Sequence, residues 1–429
     1  MKFITQDSPD FAADIAPLLN RSAFSQDIDL AVKEILADIR QNGDDAIIKY
    51  ALKFDHATLT PDRFLVTAAE IDAAESTLDD ATKDAIRTAA AHVRAFSQQR
   101  IPQPWSFSPR PGVTLGEKFA PLDRVACYIP GGTAPLISTV VHTVTIAATA
   151  GVREICVITP PGPDGTVNPA ILFACKTAGA TEIYRLGGVY GIAAMGYGTQ
   201  TIRKVEKIVG PGNAYVTAAK RMMYGEVALD LVAGPSEIMV IADETANPAF
   251  IAADMLSQAE HGSGREQAVL VATNSNILER VKAEIDKQSA VLSRAACVQK
   301  VIDNGMYLIA VKDVMEAAKL ASLYAPEHLE IMTATPESVA ANVTAAGALF
   351  LGSWTPEPVG DFVAGPSHIL PTGGSGRFFS GLTVELFFRR MSVVHYEKDA
   401  LLSELPYIQA FARREGLDAH GNSATIRSK

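Results

Sequence analysis

Gln258, Ala259, Glu260 and His261 close a predicted amphipathic helix and set an amide oxygen and an imidazole one turn apart on the same face. Side chains at i and i+3 project as neighbours from a helix, and a Gln/His pair needs only one or two further ligands to hold a zinc ion. Asp361, after Gly360 in the Pro/Gly-rich stretch Pro356 to Gly365, and His420, in Glu415-Gly-Leu-Asp-Ala-His420, are candidates to complete the set. Ligands drawn from such distant segments point to an active site, because a structural zinc is normally clipped by closely spaced Cys and His. Taken singly, Gln258 and His261 are equally the polar end of a helix capped by Gly262, and Asp361 an ordinary turn residue.

The second chemical feature is Ala325-Pro-Glu327-His328-Leu-Glu330. An imidazole beside a carboxylate at a strand's entry can divide acid/base labour, since His works near neutral pH and burial tunes Glu upward. The plain alternative is a helix-ending Pro followed by solvated charges. His368, in Gly365-Pro-Ser-His368, has a similar alternative as a surface loop histidine. His56, His92 and His395 lack supporting neighbours and are read as structural, and His142 as packed in a Thr-rich helix.

These residues must be positioned by an α/β framework. From about Asp27 to Arg100 the pattern is helical, with Ile28, Val32, Ile35, Leu36 and Ile39 on one stripe stopped by Asn42-Gly43. From Val125 onward, β-rich runs alternate with helical ones: Arg124 to Ile129, Glu154 to Thr159, Glu182 to Leu186, Lys204 to Val209, Glu237 to Ala242, Ala268 to Ala272, Tyr307 to Val311 and Ala348 to Leu351. Such alternation predicts right-handed βαβ units and largely parallel sheets, and so many strands predict two sheets. From Thr383 the pattern is mostly helical, with Leu401, Leu402, Leu405, Ile408 and Phe411 spaced for one face.

Gly-rich loops follow several strands: Tyr128-Ile-Pro-Gly-Gly132, Gly187-Gly188, Gly210-Pro-Gly-Asn213 before a helix from Ala214 to Arg221, and Ala233-Gly-Pro-Ser-Glu237. Ligands of open α/β sheets bind at carboxyl ends of strands, and glycines beside a helix N-terminus favour an anion such as a pyrophosphate. None is a GxGxxG fingerprint, so each is also an ordinary turn.

Composition bounds the partners. With 429 residues, 48% hydrophobic and 20% charged, and a mean hydropathy of +0.13, the chain is long enough for two or three domains with their own cores. A net charge of −10 without Lys/Arg runs argues against nucleic acid. Cys127, Cys156, Cys175 and Cys297 have neither CxxC spacing nor disulfide-scaffold density. No secretory h-region follows Met1, and the uncharged stretch Ala134 to Val152 carries Ser138, His142 and several Thr, which reads as a buried helix and excludes a membrane partner.

The ordered set Gly-Pro-Gly-Asn, Gly-Pro-Ser-Glu, Gln-Ala-Glu-His, Pro-Glu-His, Gly-Asp-Phe, Gly-Pro-Ser-His and Glu-Gly-Leu-x-x-His resembles the histidinol dehydrogenase family from about residue 30 to the end. The resemblance implies a cytoplasmic enzyme of histidine biosynthesis that oxidises L-histidinol through the aldehyde to L-histidine with two NAD+. It implies one zinc per subunit on Gln258, His261, Asp361 and His420, with proton transfer by Glu327 and His328. Substrate contacts would fall on Ser236, Gln258, His261, His328, Asp361, His368, Glu415 and His420, and cofactor contacts on Tyr128, Tyr190 and Asn213. It further implies a homodimer whose C-terminal arm supplies Glu415 and His420 to the partner's site, and an α/β fold of two incomplete Rossmann-like domains with mostly parallel sheets. We divide the chain accordingly: an N-terminal extension (1–26), a first Rossmann-like domain with the metal site (27–122 with 237–381), a second (123–236) and a helical dimerisation arm (382–429).

Two stretches depart from the family pattern. Gly187-Gly188-Val189-Tyr190 stands where the family usually has Gly-Gly-Ala-Gln, which leaves a tyrosine to stack on or hydrogen-bond the nucleotide. Val141-His142-Thr143 and Ile146-Ala147 replace the usual Leu-Met and Pro-Ala. The alternatives are a related zinc/NAD dehydrogenase acting on another primary alcohol, such as sulfopropanediol dehydrogenase, or a non-catalytic metal- or nucleotide-binding paralogue.

Overall fold

The alternating pattern becomes two parallel sheets in the structure, a computed structural model that describes every residue except 22–25, 132–134, 262 and 429. Gly132, Ala134 and Gly262, named above in a loop, a helix and a cap, therefore lie outside the described residues, as does the end of the expected N-terminal extension. The strands are β1 (Lys2–Thr5), β2 (Trp105–Arg110), β3 (Val113–Pro121), β4 (Arg124–Tyr128), β5 (Glu154–Thr159), β6 (Glu182–Arg185), β7 (Lys207–Val209), β8 (Ala228–Leu229), β9 (Glu237–Ala242), β10 (Gln267–Ala272), β11 (Met306–Ala310), β12 (His328–Met332), β13 (Ala348–Leu351) and β14 (Phe388–Tyr396). The chain forms two units, Met1–Arg100 with Asp123–Leu386, and Ile101–Leu122 with Phe387–Lys429.

In the first unit, a six-stranded sheet runs β1-β11-β10-β9-β12-β13 and a five-stranded sheet runs β6-β5-β4-β7-β8, with every pairing parallel. Central β9, Glu-Ile-Met-Val-Ile-Ala, is buried throughout, as expected where helices cover both faces of a parallel sheet. Its alternation divides it between two cores. Ile238, Val240 and Ala242 pack with Ile251 and Met255 of the helix Pro248–Ala259, whereas Met239 and Ile241 pack with Ala317 and Ala321 of the helix Val314–Tyr324.

The packing differs from the expected division in two places. Residues 2–5, expected in an extension, form the edge strand of the six-stranded sheet, paired with β11. The stripe Val32, Ile35, Leu36 and Ile39 of the helix Gln26–Asn42 shares its core with Ala126, Cys156 and Ile208 of the five-stranded sheet, rather than with the sheet built from 237–381. An amphipathic stripe states that a helix is covered but carries no address for the surface that covers it. The helix Ile137–Thr149 is a 13-residue buried helix, and no helix among the described residues is long and apolar enough to cross a membrane.

The second unit is an antiparallel sheet, β14-β3-β2, followed by the helices Lys398–Glu415 and Asp418–Thr425. The segment expected to be helical thus begins with a nine-residue strand in register with β3 from Phe388↔Pro121 to Tyr396↔Val113. Arg389, Arg390, Ser392 and His395 interrupt its apolar run, which masked the period of two.

Candidate active site

Two strands and two helix ends bring the predicted chemistry together. The helix Val314–Tyr324 stops at Ala325, whose φ of +51° is left-handed, and Pro326 cannot extend the helix. Glu327 and His328 follow at once, and His328 opens β12 between Ile238 of β9 and Ala348 of β13. Gly347 packs so tightly that a Cβ there would stand 2.4 Å from the Glu327 carbonyl oxygen.

His328 is 3% exposed. Its Nδ1 lies 3.1 Å from both the Glu237 carbonyl oxygen and Gln258 Oε1. Both are acceptors, so Nδ1 carries the proton, and in the neutral ring the lone pair sits on Nε2. Nε2 faces Asp361 Oδ1 at 3.6 Å and Glu357 Oε1 at 3.9 Å. Gln258, fully buried near the end of the helix Pro248–Ala259, places its Nε2 3.3 Å from His261 Nδ1. The predicted i/i+3 pair therefore exists, with His328 as the hub that joins Gln258 to Asp361.

Sequence reasoning missed Glu357. It lies four residues before Asp361 on the short helix Glu357–Phe362, and i/i+4 carboxylates on one face were the available signal. Glu357 is 2% exposed, takes a hydrogen bond from Ser257 Oγ at 2.9 Å, and its N–H donates to Glu330 Oε1 at 2.7 Å. Glu237 was seen only as the end of a Gly-Pro-Ser-Glu loop and the first residue of a strand. Its buried carboxylate pairs with Arg21 at 3.1 Å, and its N–H donates to Glu327 Oε2 at 2.9 Å, which orients that carboxylate.

The electrostatics follow from crowding. Burial raises Glu327 and Glu357 to about 8 and Glu237 to about 7. Burial opposes charge on His328 too, but the Glu327 carboxylate, with Asp361 and Glu357, outweighs it and lifts the imidazole to about 10. Asp361 shows the converse: burial works against its ionisation, and His328 holds it below the usual carboxylate range.

The other predicted residues are distributed around this cluster or elsewhere. Ser236 directly precedes β9 and is half-buried. His368 meets the buried His142 edge-on, ring centres 4.8 Å apart, and burial lowers its pKa. Asn213 caps the helix Ala214–Met223 by accepting from the N–H groups of Tyr215 and Val216. Tyr128 is 5% exposed at the carboxyl end of β4. Tyr190 is 1% exposed and its hydroxyl donates to Asp55, so its ring is not available to stack on a nucleotide. Glu415 and His420 belong to the second unit, where both are exposed.

The donor set suits a divalent cation. Ligand atoms of His328, Glu357 and Asp361 lie within 4.8 Å of one another, and His328 Nε2 and Glu357 Oε1 are buried without a hydrogen-bond partner. Glu327, Glu357 and Asp361 crowd one imidazole, and ionising all three together would leave more negative than positive charge, a conflict a bound cation removes. Nitrogen and oxygen donors without thiolate fit zinc among other borderline metals.

A family model described as histidinol dehydrogenase matches residues 19–428. A histidinol dehydrogenase of Heliobacterium mobile is 44% identical over 400 residues, covering 93% of each chain. A "histidinol dehydrogenase 2" of a Nostoc strain is 40% identical over 100% of this chain and 99% of its own. The crystal structure of the histidinol dehydrogenase from Elizabethkingia anophelis superposes with a TM-score of 0.94 at 36% identity, covering 100% of this chain and 98% of that one.

Proposed function

Since the chain belongs to the histidinol dehydrogenase family of oxidoreductases, we propose that it oxidises L-histidinol to L-histidine, reducing two NAD+ in succession. The observation that carries this reading is His328, buried with Nδ1 held by two acceptors and Nε2 unpartnered. The carboxylates around it favour the protonated ring, and a cation bound beside Asp361 would offset them and favour the neutral one, whose Nε2 lone pair is then a base aimed by its surroundings.

His328 Nε2 takes the alcohol proton as the first hydride leaves the carbinol carbon for the cofactor. Glu327, fixed by the Glu237 N–H, takes a proton from the water that adds to the aldehyde, and His328 takes the hydroxyl proton of the hydrate as the second hydride leaves. One alcohol and one water thus become one carboxylate, with two hydrides and three protons released. Gln258, His261, Asp361 and His420 would hold zinc, which when bound supplies positive charge and open positions for substrate nitrogen and oxygen atoms. Ser236, His368 and Glu415 would contact the substrate, and the Tyr128 and Asn213 loops the nucleotide. His420 and Glu415 would come from the partner subunit of a homodimer. The free thiols of all four cysteines agree with a cytoplasmic location.

The test counts NADH formed per L-histidinol consumed by the zinc-loaded protein, with the product identified. Two per substrate and histidine as product support the reading. Turnover of a hydroxysulfonate instead, with none of histidinol, overturns it.

A further inference from the structure

Asp55 stands at the carboxyl ends of the five-stranded sheet, where an open α/β sheet takes its ligands. It ends a single π-helical turn, Ala51–Asp55, followed by His56 at a left-handed φ of +56°. Its carboxylate comes against the loop after β6. A Cβ added to Gly187 would lie 3.0 Å from Asp55 Oδ2 and 2.8 Å from Pro160, and one added to Gly131 would lie 3.0 Å from Pro160. The loops after β4, β5 and β6 therefore touch in one continuous edge. At Gly188, φ is +48° and a Cβ would meet nothing within 4 Å, so the backbone there borders open space.

Tyr190 is the chain's departure from the family's Gln, and it explains how Asp55 is held. The tyrosine is enclosed in the core and its hydroxyl donates to Asp55 Oδ2. One carboxylate oxygen is thereby committed, and Asp55 remains half-buried at the surface. Next to it, Phe54 is 48% exposed and stacked on Tyr50. In dinucleotide-binding α/β folds an acidic residue near the first strands accepts the ribose hydroxyls and repels a 2′-phosphate. Here β5 ends in Thr159-Pro160, and the next acid, Asp164, is spent on the Thr166 N–H and hydroxyl.

We propose that Asp55, held in place by Tyr190, accepts the adenosine ribose hydroxyls of the dinucleotide and selects NAD over its 2′-phosphorylated form. This deepens, and rests on, the reading of the chain as a nicotinamide-dependent dehydrogenase. Because β6 is the outermost strand of its sheet, the site suits the end of the cofactor remote from the reacting carbon. Tyr190 acts through Asp55 and is a positioning residue.

The experiment is calorimetric titration of the full-length, zinc-loaded protein with NADH and with NADPH, for the wild type, Asp55→Asn and Tyr190→Phe, alongside wild-type histidinol turnover. Wild type should prefer NADH. Asp55→Asn should weaken NADH about tenfold, as for loss of a hydrogen bond to a charged group, and bring the NADPH affinity level with it. Tyr190→Phe should move the ratio the same way by roughly threefold, less than Asp55→Asn because it loosens the carboxylate without removing it, and carries the test should Asp55→Asn misfold. Equal weakening of both nucleotides, no change in either, or a wild type that binds neither overturns the proposal. Failure of histidinol turnover with the nucleotide preference intact would instead count against the proposed substrate.

Discussion

At the scale of single residues, His328 is both the proposed base and a member of the triad His328, Glu357 and Asp361 that could hold a metal, and one substitution separates the roles. With zinc on Gln258, His261 and Asp361, His328→Asn should keep near-stoichiometric metal and lower kcat by about 10²–10⁴-fold, the usual worth of a positioned base. Metal analysis and steady-state rates on one preparation decide it; loss of zinc in parallel with activity would make His328 a ligand. A second residue-scale prediction concerns Arg124, 5% exposed, whose guanidinium forks onto Glu182 at 2.6 and 2.9 Å. The Arg124 hydrogen bonds, chiefly, hold Glu182 at about 2, below the ordinary carboxylate value of 4.5. A depressed carboxylate pKa stabilises the fold above 4.5, and that contribution disappears as pH falls toward 2, because the unfolded chain takes up the proton first. Glu182→Gln should therefore destabilise by roughly 1–3 kcal/mol at pH 7, with the gap from wild type closing in acid. Denaturant titrations at several pH values would show this, and a gap unchanged at pH 3 would refute it.

At the scale of elements, the proposed catalytic pair is aimed by backbone packing. Glu327 and His328 sit where a helix ends in a left-handed alanine and β12 begins, and the Gly347 N–H donates to the Pro326 carbonyl at 2.8 Å. Gly347→Ala would push its Cβ onto the Glu327 carbonyl. We expect metal and cofactor binding to survive while kcat falls about tenfold to a hundredfold, since displacement near 1 Å costs that much; wild-type kcat in a folded Gly347→Ala would separate this packing from the chemistry. The same element shows why reading the sequence was uneven. β5, β9 and β13 were legible from end to end because they are short apolar runs. β12 carries His328 and Glu330 in five residues, and its start was read only as a loop at a strand's entry, outside the β-rich runs. Its polar residues are buried, so the strand that carries the proposed base is the one that the apolar pattern did not mark.

At the scale of the molecule, the proposed ligand set takes Gln258, His261 and Asp361 from the first unit and His420 from the second. If Glu415 and His420 serve the partner's site, mixing His328→Asn with His420→Ala subunits after mild dissociation should restore activity to about a quarter of wild type. Random exchange makes half the dimers mixed, with one complete site in each. No recovery, with exchange verified by mass, would place both residues in their own subunit's site.

The sequence by itself determined the family, the α/β class and the candidates Gln258, His261, Glu327, His328 and Asp361, because spacing within a helix turn, Gly/Pro punctuation and apolar runs are local properties written residue by residue. Tertiary structure alone decided that residues 2–5 complete one sheet while the helix Gln26–Asn42 covers the other, that Glu357 joins the cluster, and that Tyr190 faces Asp55 from within the core. Each depends on which distant surfaces meet, and burial, which turns those meetings into shifted pKa values and held side chains, exists only once the chain has closed around them.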